Sequence, residues 1–235
     1  MLVAFKRFAP RNGWRVFAGD VGVIVLGVLI AVGIGKVVEA LDWRDKVAAA
    51  QTTLNGEDMA DSVFALRERV ATRACLLGQL DRLQADVLSS GTVHRAARHA
   101  GDGTGNAFVF PQRIWSSLQW NSVVSDNIPA HMTLADRAFF TRHYYAIAFL
   151  GDLNREERIA VADLNLLGQP IVLDPRTRND LLRAIIGERQ RVILIDTVAR
   201  QTLHNIAGAG RSIRLAPGDA AQMNTLIWCR ANGLA

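Results

Sequence analysis

Between Asp20 and Lys36 the chain runs VGVIVLGVLIAVGIG, fifteen residues with no charge and no proline. Crossing a hydrocarbon core of about 30 Å takes roughly 20 helical residues, so this run alone is short. Val16 to Gly19 before it and Val37 and Val38 after it complete the length, which predicts a membrane-spanning helix over 16–38. Lys36 lies near its end, where a long stem lets the ammonium reach the headgroups. Trp14, Phe17 and Trp43 flank the run as an interfacial aromatic belt would.

Beyond the run, the pattern changes to a helical period. No proline occurs from Val37 to Ser89, and Val63, Leu66, Val70, Ala74, Leu77, Leu80 and Val87 recur at the spacing of one helix face. Asn55-Gly56 predicts a kink or break, and Ser89-Ser90-Gly91 an end. The glycine-rich stretch Ala100–Asn106 reads as a surface loop, since a phosphate-binding loop would need a following Lys-Ser/Thr. AFVFPQR reads as extended, and RIWSSLQWNSVVSDN as a short helix with Trp115, Leu118 and Ser122 on one face. Thr133 caps the next helix, whose inner side carries Phe140, Tyr144, Ile147 and Leu150, with a kink expected at Gly151 and a stop at Gly168 and Pro170. Asp174 and Pro175 restart the chain as N-cap and first helical residue. The stripe Leu181, Ile185, Val192, Ile195, Ala199 and Ile206 then runs to the break at Gly208–Gly210. Asp219 and Gln222 predict a capping box for a last short helix. The expected fold is all-α: one N-terminal transmembrane helix, then a bundle of long helices. The expected domains are a basic N-terminus 1–15, the span 16–38 and a helical domain 39–235.

Charge sets the orientation. Lys6, Arg7, Arg11 and Arg15 precede the span without an acid among them, whereas Glu39, Asp42, Arg44, Asp45 and Lys46 after it nearly cancel. The positive-inside rule then places the N-terminus in the cytoplasm and residues 39–235 across a bacterial inner membrane, in the periplasm. A cleaved signal peptide would share the basic start, and Val38-Glu39-Ala40 is a passable cleavage site. Against it stand the length of the run and Lys36 at its end. The net charge of +5 contains the four N-terminal positives, so the rest is close to neutral and no nucleic-acid partner is predicted.

Gly27, Ala31 and Gly35 are four apart and line one face of the span, a spacing that lets two membrane helices approach closely. Simple glycine and alanine abundance in membrane helices is the competing reading. The chain has two cysteines, Cys75 and Cys229. In an oxidising periplasm they predict one disulfide, within the chain or between two copies. In a reducing compartment they would be buried thiols.

The run VIVLGVLIAVGIGKVVEALDWRDKVAAAQTTLNGE, with Gly-Val-Leu-x-Ala in the span and a Leu-x-x-Glu step at Leu54 to Glu57, resembles a family of uncharacterised bacterial single-pass membrane proteins. The Trp115/Leu118 segment, the helix with Tyr144 and Tyr145, and the Leu173-Asp174-Pro175 restart continue the likeness. Asn121 and Ser122 depart from it, where a small residue usually stands. The resemblance implies an N-terminal anchor and a helical domain, and no activity.

Chemistry is sparse. There is no HExxH or GxSxG, and His94 and His99 are five apart, off the spacing that places two ligands on one helix face. No catalytic residue, metal ligand or cofactor is predicted. Glu156 and Glu157, between Arg155 and Arg158, read as a solvated face. Asp196, inside VILIDTVA, reads as the polar side of its helix; if buried it needs an arginine, with Arg113, Arg137 and Arg142 as candidates. Trp115, Trp120, His143 and Tyr144 are the candidate pocket or interface. Two functions fit: a non-catalytic interaction or assembly module, bound to the bilayer and to itself or another envelope protein, and a small-ligand sensor or enzyme with a site between helices. The first is favoured, because a receptor would carry a second span or a cytoplasmic output domain.

Overall fold

A computed structural model describes residues 14–94, 106–211 and 223–234. The basic residues Lys6, Arg7 and Arg11, most of the Ala100–Asn106 loop, His99 and the Asp219/Gln222 capping box lie outside them. Among the described residues the fold is all-α apart from one two-residue strand pair. It divides into two compact units, Met1–Ala49 and Ala50–Ala235.

The first unit holds most of helix α1, Trp14–Asn55. From Ala18 to Leu41 every residue is exposed, although valine, isoleucine and leucine occupy all sides of the helix. Its mean hydropathy reaches 2.6, and it is long and apolar enough to cross a membrane. A helix that is apolar all round and has no protein covering it is what the lipid interior accommodates. Lys36 pairs with Glu39, one turn on, at 2.8 Å.

In the second unit, α2 (Glu57–Ser89), α4 (Leu134–Leu164) and α5 (Pro175–Gly208) form the bundle, with α5 packed against both others. The short α3 (Leu118–Ser125) and a 3₁₀ turn, Ile128–His131, precede α4. Another turn, Asn165–Gly168, follows it, and α6 (Asn224–Ala231) packs on α2. β1 (Val93–His94) pairs antiparallel with β2 (Ile171–Val172).

The ends form where the sequence supplies caps. Asp174 accepts from the Arg176 and Thr177 amides at 2.8 and 3.0 Å, and Thr133 accepts from Asp136 at 3.1 Å. Orphan carbonyls at the end of α2 are met from a distance: the Arg178 guanidinium donates to Val87, and to Ser90 and Gly91 at 2.8 Å each. The core between α2, α4 and α5 contains Leu76, Leu80, Leu83, Val87, Leu164, Ile185 and Val192, closed by Phe108 and Phe110 from the extended segment before α3. Each such side chain contributes about 1.5–3 kcal/mol by leaving water. Gln79 holds that segment like a strand neighbour, exchanging bonds of 2.9 and 2.8 Å with the Val109 backbone.

Cys75 on α2 and Cys229 on α6 are at disulfide distance, with sulfurs 1.96 Å and Cα atoms 5.8 Å apart. The tail after α6 folds over Gly78, where an added Cβ would lie 3.0 Å from Leu234 Cδ2.

Two local expectations are corrected. The α2 face holds at Val63, Leu66, Leu80 and Val87 but is wider than expected: Ala74 is exposed, and Thr72, Cys75, Leu76, Gln79 and Leu83 are buried as well. In α3, Leu118 and Ser122 face solvent while Trp120 and Val123 are buried. The helix α4 does continue through Gly151, as one element from Leu134 to Leu164, and the glycine admits Trp115, whose Cβ would come within 3.3 Å of a side chain there.

Candidate functional site

α4 projects Phe140, His143, Tyr144 and Ile147 inward, and α3 lays Trp120 across them. The Trp120 ring stacks parallel on Tyr144 at 5.7 Å and lies 6.0 Å from Phe140. His143 meets Tyr144 edge-on at 5.0 Å. Three of the four expected site residues therefore form one cluster. Trp115 does not join it, because it sits two helical turns along α4, against Gly151.

The polar tips of Tyr144 and His143 reach α2. The Tyr144 hydroxyl donates to Asp58, and His143 Nε2 lies 3.2 Å from Ser62 Oγ. Burial and the bond to Asp58 push the Tyr144 hydroxyl up; burial also raises Asp58, against that same bond. Burial and the nearby positive charge of Arg211 lower His143 to about 4, so its imidazole is neutral at physiological pH. Arg211 itself stacks over Phe139, 4.2 Å from the ring centre, and pairs with Asp136 at 2.6 Å. Behind His143 a cavity of about 360 Å³ opens between the start of α4 and the end of α5. Trp115, Trp120 and Tyr144 do not line it.

A second constellation crosses the middle of the bundle. Arg69, fully buried on α2, forks onto both carboxylate oxygens of Glu157 on α4 and also donates to Asn154 and, at 2.9 Å, to the Pro111 carbonyl. Glu157 is thus fully buried and not part of a solvated face; its neighbour Glu156 alone stays at the surface. Glu188 on α5 is buried beside Glu157 and accepts from Arg191. Burial, then the charge of Glu157, push Glu188 up to about 8. Its Oε1 meets no donor among the described residues. A proton there turns the contact of two carboxylates from repulsion into a hydrogen bond.

Asp196 is also buried, contrary to the surface reading. Its partners are Arg200, at 2.9 and 3.0 Å, and Arg73, at 3.1 Å. Of the arginines proposed for it, Arg113 binds Glu68 at 2.6 Å instead, and neither Arg137 nor Arg142 pairs with Asp196.

His94 lies in β1, paired with Ile171. Gly27 and Gly35 have open space around them, with no atom within 4 Å of an added Cβ.

No family model, curated protein or solved structure matches the chain. The functional reading therefore rests on geometry.

Proposed function

We propose that the protein is a membrane-anchored interaction or assembly module of the bacterial cell envelope. In this reading residues 16–38 span the inner membrane with the N-terminus in the cytoplasm, and the bundle lies in the periplasm as a non-catalytic accessory subunit. The observation that carries it is where the apolar surface lies. Ile114, Leu118, Val124, Leu134, Tyr145 and Phe149 face solvent along the α3–α4 stretch, Ile114 with 93% of its surface exposed and Tyr145 with 76%. On α2, Leu88 alone among the large apolar residues is exposed. Scattered exposed leucines are ordinary; such a concentration on one stretch supports a partner surface. The interior favours the same role, because a core fixed by ion pairs and a cysteine staple presents that stretch with little reorganisation on binding.

Two experiments test this. A phosphatase fused after Ala235, active only outside the cytoplasm, is expected to be active; activity of a cytoplasm-only reporter there overturns the orientation. A photo-crosslinking residue at Tyr145 or Leu118 in native membranes is expected to give one stoichiometric adduct, with an envelope protein or a second copy. The same residue at Arg82 on α2 should give none. Equal, diffuse labelling at all three positions sinks the assignment.

A further inference from the structure

The outward side of α4 carries a regular seam. From Leu134 to Ala162, alternate steps of four and three residues land on an exposed side chain every time, by way of Ala138, Tyr145, Ala148, Asp152 and Ile159. Any surface helix has an exposed face; this one is set apart by what it exposes. Leu134 and Ile159, near the two ends, are 73% and 69% exposed, Tyr145 stands beside the middle, and the middle itself is an alanine. A repeat of 3.5 residues is the period at which two helices keep one seam in contact. At the rise of an α-helix this seam is about 42 Å long.

The seam matches itself when reversed. Turned about a two-fold axis at Ala148, an antiparallel copy puts Tyr145 opposite Asp152 of the second copy, so that a phenol hydroxyl meets a carboxylate. Ala138 then lies opposite Ile159, and Leu134 opposite Ala162, a small residue against a large one at each level. Along one flank Arg142 comes level with Glu156, and Phe149 with itself. Arg142 is exposed with no ion pair among the described residues, and Glu156 has Arg191 at 3.9 Å. Asp152 holds Arg155 of its own helix at 3.2 Å. On the other flank Arg137 comes level with Arg158, a like-charge contact that lowers the affinity. A parallel copy has no such match: it sets Asp152 beside Asp152 and Arg155 beside Arg155. A contact in which each copy offers the same patch closes at two copies. We propose that α4 pairs antiparallel with α4 of a second copy of this chain, about Ala148. The inference rests on the reading of the α3–α4 stretch as a partner surface, and names its partner.

The test uses the full chain in native membranes, with Cys75 and Cys229 buried and paired with each other. Under mild oxidation Ala148→Cys is expected to give a dimer that a reductant separates. Leu134→Cys alone should give none, but should link to a differently tagged copy carrying Ala162→Cys. In detergent without oxidant, Arg142→Glu should weaken dimerisation about tenfold, since two exposed pairs turn from attraction to repulsion, and adding Glu156→Arg should restore it. A Leu134→Cys dimer that forms more readily than the Ala148→Cys dimer overturns the antiparallel pairing. An Ala148→Cys chain that stays monomeric while its new thiol takes a maleimide label overturns the second copy as partner. If the photo-crosslinker at Tyr145 then still gives one adduct with a different protein, the partner-surface reading survives without this inference; if it gives none, both fall.

Discussion

The α1 helix and the bundle are built inside out relative to each other. On α1, Val23, Ile24, Leu29 and Ile34 are exposed. In the bundle, Arg69, Glu68, Glu157, Glu188 and Asp196 are buried. An apolar helix in lipid satisfies its backbone within itself, so its stability is local. A buried charge has no local solution; it persists only because a partner from another helix arrives with the right geometry. A helix of this kind therefore tolerates exchange of one apolar residue for another, and the bundle interior depends on specific pairs.

Breaking the cysteine pair is expected to have the largest effect on this contrast. The chain between Cys75 and Cys229 is long, 154 residues apart in sequence, and the chain-entropy model gives roughly 4–5 kcal/mol as an upper figure. Cys229→Ser should lower the urea midpoint of the bundle in detergent while the helicity of α1 persists. Loss of both together would show that the two regions are not energetically separate.

Next is Arg69→Met, expected to cost about 3–5 kcal/mol by leaving Glu157 buried and unpaired. Adding Glu157→Leu should restore most of it. A double variant as unstable as the single would mean that packing, and not charge, dominates there.

The third prediction concerns pH. Glu188 has a folded pKa raised to about 8 from an ordinary 4.5, so its contribution to stability is full below about 4.5 and is lost as pH rises through 8. His143 acts oppositely: lowered to about 4 from 6.5, its contribution is full above 6.5 and is lost as pH falls through 4. Glu188→Gln should remove the decline between about pH 4.5 and 8, worth up to a few kcal/mol, and leave the decline that His143 causes toward pH 4 in place. An unchanged slope between 4.5 and 8 in thermal unfolding would place the titration elsewhere.

The smallest effect belongs to α1. Gly27→Leu with Gly35→Leu should weaken self-association of the isolated span in a membrane two-hybrid assay by about 1–2 kcal/mol at most. An unchanged signal would reduce these glycines to composition.

What the sequence alone determined was local. The apolar run of α1 needs no tertiary partner to be legible. Asp174-Pro175 and Thr133 mark helix starts because their bonds close within three residues. The inner stripes of α4 and α5 were legible because helical period and burial agree there: Phe140, Tyr144, Ile147 and Leu150 are buried, as are Leu181, Ile185, Val192, Ile195, Ala199 and Ile206. Even Glu188 left a trace, since it occupies the gap between Ile185 and Val192 in an otherwise apolar stripe. Tertiary structure decided the rest. It chose Trp120 over Trp115 for the aromatic cluster, widened the buried face of α2 to take in Arg69 and Thr72, and gave Asp196 the arginines at 73 and 200. Periodicity states which way a side chain points; it does not state what stands opposite. Arg69 and Glu157 are 88 residues apart in sequence, and only the packing of α2, α4 and α5 brings them within a hydrogen bond.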